Sequence, residues 1–234
     1  MFHLHHALRL IFPSWCELCD DASEHAVCSS CEEGLIRMDA PFCLRCSEKF
    51  DGAAGSPRDC YHCRDLKFSF EFVVTAYQMN EGMRTLVHAL KYKKALYLDQ
   101  FLGRCLRSVF LDDRIATLNL SEWVITAVPL HFSRQRQRYF NQSEILAKTL
   151  ASETGMRYLS LLKRVRPTRQ QIRLTKPERA KNVAGAFANN EESPCENVIL
   201  VDDVFTTGAT VNECAKQLKK QGVKRVIVVC LARK

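Results

Sequence analysis

Long apolar runs are missing from this chain. No stretch approaches about 18 consecutive apolar residues, so no membrane-spanning helix is expected. Met1 to Trp15 lacks a basic start, an apolar run and a small-residue cleavage site, so nothing marks a secretory leader. A cytoplasmic location with reduced thiols is the expectation. There is no Gly-Lys dipeptide and no G-x-G-x-x-G, which removes Walker and dinucleotide-binding loops from consideration. No internal repeat beyond the cysteine pairs and no low-complexity segment is visible. What remains is ordinary for a globular chain: 234 residues, 47% hydrophobic and 26% charged, enough for one large domain or an ordinary one with a small companion. The formal charge of +8 points to an anionic partner, or to a basic and merely well-solvated surface.

Cysteine, by contrast, is abundant. Eight of the twelve stand in four C-x-x-C pairs: Cys16/Cys19, Cys28/Cys31, Cys43/Cys46 and Cys60/Cys63. Two thiolates on one tight turn can fill two corners of a tetrahedron about zinc. Four turns make two closed four-thiolate sites with no position for water. Two structural zinc ions are therefore expected, giving folding energy to a segment too short to build a core. Disulfides compete with this reading but want an oxidising compartment, and a redox pair wants a strand and helix pattern around it. Sequential pairing of the turns closes shorter loops than crossed pairing, a small entropic preference that leaves both open. His25 and His62 lie near the knuckles, yet eight thiolates already suffice. Cys105, Cys195, Cys214 and Cys230 are scattered and read as packing residues. His3, His5 and His6 read as part of a surface helix on the zinc unit.

The cysteine pairs end at Cys63 and a β-prone apolar run follows, which puts a boundary near Lys67 and divides the chain into 1–67 and 68–234. Asp51 to Asp59 reads as a loop inside the first unit. Beyond the boundary, strands are expected at Phe72 to Tyr77, Trp123 to Val128, Val198 to Val201 and Val226 to Leu231. Helices are expected at Asn80 to Lys91, Ala95 to Phe110 and Val211 to Gln221. Another should open at Asn141, with Glu144 completing a capping box, and end near Gly155. The last two strands are apolar throughout, the mark of burial on both faces, and the helix between them makes a βαβ unit. The fold class is therefore α/β with a parallel sheet.

The densest signal is VILVDDVFTTGATV, Val198 to Val211. A buried strand delivers Asp202 and Asp203 to its C-terminal end, where ligands collect in open α/β sheets. Thr206, Thr207, Gly208, Ala209 and Thr210 then form a small, hydroxylated turn running into a helix. Such a turn offers backbone N–H groups and hydroxyls to a phosphate monoester. The carboxylates suit sugar hydroxyls, or Mg²⁺ held through its waters. The plainer reading is a helix start with Thr210 and Glu213 as a capping box, which would not call for so rich a turn.

Those residues resemble the phosphoribosyl pyrophosphate (PRPP) signature of type I phosphoribosyltransferases. Taken with the C-x-x-C pairs, LKYK at Leu90 to Lys93, VPLH at Val128 to His131, FNQSEILA at Phe140 to Ala147 and RLTKPERAKNVAGAF at Arg173 to Phe187, the chain resembles the ComF family. The resemblance implies a double zinc ribbon followed by a type I phosphoribosyltransferase-like domain, and a link with DNA uptake in natural transformation. It also implies that Asp202 and Asp203 meet the ribose hydroxyls of PRPP with Mg²⁺ nearby, and that Thr206 to Thr210 cradle its 5′-phosphate. The VPLH turn looks like the superfamily's pyrophosphate loop.

The positive charge is local. Between Val128 and Asn182 stand thirteen Lys and Arg against three Glu, a net +10, while the remainder is about −2. Pro167 and Pro177 interrupt Arg166 to Lys181, so a long loop is expected there. The candidate anion ligands are Arg134, Arg136, Arg138, Arg169, Arg173, Lys176, Arg179 and Lys181. They could close over pyrophosphate as a lid. They could equally track single-stranded DNA, with Tyr139 and Phe140 available to stack, although those rings more often pack in a core. His88, beside Lys91 on its helix, is expected to face solvent. Two functions follow: a PRPP- and Mg²⁺-binding phosphoribosyltransferase, or a non-enzymatic DNA-binding factor. Protein partners from a DNA-uptake apparatus fit either.

Overall fold

The computed structural model describes residues 15–50, 60–61, 63–64, 66–131, 139–168, 175–190 and 195–234. Among them are seven strands: β1 (Val73–Gln78), β2 (Trp123–Ala127), β3 (Arg157–Tyr158), β4 (Leu162–Arg164), β5 (Phe187–Asn189), β6 (Asn197–Phe205) and β7 (Arg225–Arg233). Five pair parallel in the order β1-β7-β6-β2-β3, and β4 with β5 forms a separate antiparallel ribbon. The α-helices among the described residues are α1 (Ser29–Glu33), α2 (Glu81–Tyr92), α3 (Asp99–Arg107), α4 (Asp113–Ala116), α5 (Gln142–Thr154), α6 (Lys176–Val183) and α7 (Ala209–Lys220). None is long and apolar enough to cross a membrane.

The unbroken apolar run in β7 has a direct structural cause. Successive side chains point to opposite faces, so Ile227, Val229 and Leu231 enter one core while Val226, Val228 and Cys230 enter the other. The first core packs α2 (Met83, Leu86, Leu90), α3 (Leu102, Leu106) and α5 (Leu146, Leu150) on the sheet. The second packs α7 through Val211, Cys214, Ala215 and Leu218.

The cysteine-rich segment is built into both cores. Cys16, Val27 and Leu35 belong to the first, whereas Cys43, Cys46, Cys60 and Cys63 belong to the second. Between them the chain crosses the exposed edge of β1. Arg37 bridges antiparallel to Tyr77, the Met38 N–H donates to the Ala76 carbonyl at 3.0 Å, and the Gln78 N–H donates to the Ile36 carbonyl at 2.8 Å. An edge that would otherwise invite foreign strands is thereby paired.

Several expectations are corrected in detail. Ala95 to Phe110 is not one helix: α3 is flanked by single 3-10 turns at Leu96–Leu98 and Ser108–Leu111. Asn141 caps α5 by accepting from the Ser143 N–H at 3.2 Å, but Glu144 pairs with Lys148 at 2.7 Å instead of closing a box. The stretch read as a loop across Pro177 contains α6. Proline in a first turn loses no helical hydrogen bond, and Glu178 accepts from both the N–H and the hydroxyl of Thr175 at 2.7 Å, a capping box. Tyr139 is 75% exposed with φ 67°, not core, while Phe140 packs against the first core. His3, His5, His6, His62 and the segment 51–59 lie outside the described residues.

Candidate functional site

Two thiol clusters have formed, and the turns are paired sequentially. Cys16, Cys19, Cys28 and Cys31 bring their sulfurs within 4.8 Å of one another, as do Cys43, Cys46, Cys60 and Cys63. Four sulfurs so gathered fit tetrahedral zinc. Backbone amides favour thiolate at Cys16 and Cys43, one in each cluster. The Cys28 N–H lies 3.3 Å from Cys16 Sγ and the Leu18 N–H 3.4 Å, while the Cys60 N–H lies 3.3 Å from Cys43 Sγ. Burial resists ionisation of Cys16, yet these amides draw its thiol down to about 6. Cys43, receiving a hydrogen bond from Cys46 and several from amides, falls to about 4. His25 is exposed and outside the cluster. Cys105, Cys214 and Cys230 are buried and their thiols are pushed up by that burial, so they stay neutral.

A cavity of about 800 Å³ opens at the C-terminal ends of the central strands and takes in Asp202, Asp203 and all of residues 206–210. That volume falls in the range of small-molecule sites. β6 runs on through both aspartates to Phe205, longer than the Val198 to Val201 core of the expected strand. Asp202 Oδ1 accepts from the Ser143 hydroxyl at 2.8 Å and from the Asp203 N–H at 2.9 Å. Asp203, 5% exposed, pairs through Oδ2 with Lys91 Nζ at 2.8 Å. Burial, reinforced by the charge of Asp203, pushes the Asp202 carboxyl up to about 7, against the pull of Ser143 and Lys91.

The turn after β6 holds its shape through Gly208, whose φ of 77° is left-handed. A Cβ there would come within 2.8 Å of the Phe205 ring. Gly208 is the N-cap of α7, so the first N–H groups of that helix face the cavity mouth where an anion is favoured. The alternative capping box is not made: Glu213 accepts from the Gly185 N–H at 3.0 Å and pairs with Lys216.

Of the basic candidates, Arg179 reaches the turn, its Nη1 lying 3.2 Å from Thr206 Oγ1. Lys181 sits in the last turn of α6 with no part in the cavity lining, and the side chain of Lys176 lies outside the described residues. Arg134, Arg136, Arg138, Arg169 and Arg173 also lie outside them. Val128, Pro129 and Leu130 of the VPLH turn line the cavity, and Asn141 Nδ2 donates to the Val128 carbonyl at 3.0 Å. His88, exposed as expected, nonetheless stands on the cavity wall, tilted against Tyr92 at 4.7 Å between centroids.

Lys91, Ser143, Arg164 and Arg233 also line the cavity, and the sequence alone does not mark them as site residues. Lys91 and Ser143 occur in the LKYK and FNQSEILA strings, but no local pattern ties either one to the aspartates. The contact is made only when α2 and α5 pack on the sheet.

Two domain families match the chain: the double zinc ribbon domain over residues 7–64 and the phosphoribosyl transferase domain over residues 109–234. Fold and cleft together therefore define a parallel-sheet protein of the phosphoribosyltransferase class carrying a double zinc ribbon. Competence protein F of Haemophilus influenzae is 32% identical over 216 residues, covering 90% of this chain and 92% of that one. DNA utilization protein YhgH of Salmonella typhimurium is 31% identical over 229 residues, 96% and 99% of the two chains. Competence protein ComFC of Streptococcus pneumoniae is 27% identical over 226 residues, 96% and 94%. The chain belongs to the ComF family.

Proposed function

We propose that this protein binds PRPP with Mg²⁺ and serves DNA uptake in natural transformation from the cytoplasm. The observation that carries the reading is one cavity shared by a strand-end pair of aspartates and a hydroxylated turn at a helix N-terminus, with Arg179 supplying positive charge beside the turn. Residues 206–210 would receive the 5′-phosphate, Asp202 and Asp203 the ribose hydroxyls, and residues 128–131 the pyrophosphate. When bound, Mg²⁺ would supply charge neutralisation on the pyrophosphate. Because Lys91 already neutralises Asp203, the donor set suits a cation that arrives on its ligand better than a bare one.

If the chain is catalytic, pyrophosphate leaves C1 of the sugar in favour of a nitrogen nucleophile. Its residues then act by positioning and charge stabilisation, with Arg179 held against Thr206 beside the phosphate. Calorimetry of PRPP with Mg²⁺ tests the premise. Asp202→Asn with Asp203→Asn should lower affinity at least tenfold. Equal or absent binding in both proteins would refute it.

A second reading, a non-enzymatic single-stranded DNA-binding role, draws on the exposed ring of Tyr139, which carries Lys94 Nζ 3.9 Å from its centroid beside the same cavity. Neutralising Arg169, Arg173, Arg179 and Lys181 should shallow the salt dependence of DNA affinity if these residues contact phosphates. An unchanged slope counts against it. Docking of DNA-uptake proteins belongs to either reading.

A further inference from the structure

We propose that Arg233 is a positioning residue that ties the turn at 206–210 to the second ribbon, so that the metal site of Cys43, Cys46, Cys60 and Cys63 sets how well that turn holds a phosphate. The inference rests on reading residues 206–210 as a phosphate loop.

Arg233 ends β7 directly across from Phe205, the last residue before the turn. Besides the adjoining Lys234 carbonyl, which Nη1 also meets, its guanidinium reaches in two directions. Nη1 donates to the Thr206 carbonyl at 3.0 Å, whereas Nε donates to the Cys46 carbonyl at 3.1 Å and Nη2 pairs with Glu48. One planar fork thus spans a metal-ligating turn and the first residue of the loop. The side chain is only 9% exposed and lies over the Phe205 ring at 5.2 Å, so it is held flat in this position. A lysine, with a single ammonium, could not bond both carbonyls in the same geometry.

The loop leans on the second ribbon elsewhere too. Phe68, just past that ribbon, lies so close to Gly208 that an added Cβ would meet its ring at 3.3 Å. Arg45, between two ligands, lies over Phe68 at 5.6 Å and donates to the Cys63 carbonyl at 3.2 Å. The Ser69 N–H donates to Asn212 Oδ1 at 2.7 Å, in the first turn of α7. The first ribbon is tied elsewhere: Glu17 binds Lys93 and Tyr97, and the Gly34 carbonyl accepts from Asn80.

The physical consequence is asymmetric. A phosphate loop works only if its amides stay aimed at one point. The Cys46 turn is rigid when its thiolates share an ion. When they do not, Arg233 loses a fixed anchor, the Thr206 carbonyl can rotate, and the amides that follow rotate with it. Among the described residues, the first ribbon has no such contact with the Thr206 carbonyl.

The test uses the full zinc-loaded chain as wild type, Arg233→Met, Arg233→Lys and Lys93→Ala, the last cutting a tie of the first ribbon. Zinc content, amide exchange at residues 206–210 and PRPP affinity with Mg²⁺ are measured. Arg233→Met should retain its zinc, exchange these amides about tenfold faster and bind PRPP about tenfold more weakly. Arg233→Lys should recover only part of this, and Lys93→Ala should leave the loop unchanged. Unchanged exchange and affinity in Arg233→Met would overturn the proposal, as would equal loosening in Lys93→Ala. If wild type fails to bind PRPP, the phosphate reading falls, whereas the exchange data judge the tie separately. Should Arg233→Met not fold, Glu48→Gln removes one anchor of the fork and must loosen the same amides to a smaller degree; no loosening there also overturns it.

Discussion

Gly208 carries the shape of the turn that meets the proposed phosphate. Its left-handed φ and the crowding by Phe205 and Phe68 leave no room for a side chain. Gly208→Ala should therefore weaken PRPP binding at least tenfold while lowering stability by about 1–3 kcal/mol, the usual cost of a strained backbone position. Calorimetry and urea unfolding on the same protein check both. Asp202 makes a pH prediction. Its folded pKa of about 7 lies above the ordinary aspartate value near 3.9, so between those limits the native chain binds more protons than the unfolded one. Stability from this group is therefore lost as pH rises through the window. Asp202→Asn should gain on wild type from pH 5.5 to 8, by at most ~1.4 kcal/mol per pH unit. A stability difference that does not vary with pH, measured by urea unfolding with zinc present, would contradict the assignment.

At the level of elements, the instructive case is α6. Charge and two prolines argue for a loop, yet T-K-P-E is a helix start in which Pro177 stands in the first turn and Glu178 reaches back to Thr175. The capping-box spacing stands in the sequence, and Pro177 is compatible with it because a first-turn residue needs no helical N–H partner. Glu178→Ala removes the reciprocal half of the box and should loosen the start of the helix. Exchange of the amides from Lys176 to Val183 should quicken, with little change in the global melting point. Since α6 presents Arg179 to Thr206, PRPP affinity should fall with it. The strands were easier to read. β6 and β7 announce themselves because parallel strands covered on both sides contain no polar face.

Across the whole molecule, the two ribbons contribute to opposite cores and seal the β1 edge between them. Melting of the cysteine-rich segment and of the α/β layer should consequently be one event. Chelation of zinc should lower the melting temperature of α7 and the sheet, followed by far-ultraviolet circular dichroism, by more than about 10 °C, given the large folding contribution of a structural zinc site. A helical melting point untouched by chelation would mean that the ribbons are dispensable attachments.

Local chemistry was enough to read each C-x-x-C turn as a pair of metal ligands, the buried parallel strands and the acidic, threonine-rich turn, because each depends on neighbours a few residues apart; which turns share an ion was decided by the fold. What depends on chain packing was decided only by the tertiary structure. Lys91 on Asp203, Ser143 on Asp202, Arg179 on Thr206 and Arg233 between Thr206 and Cys46 each join residues far apart in the chain. No periodicity or spacing encodes such a contact, since it exists only where separate elements converge on the sheet's C-terminal end.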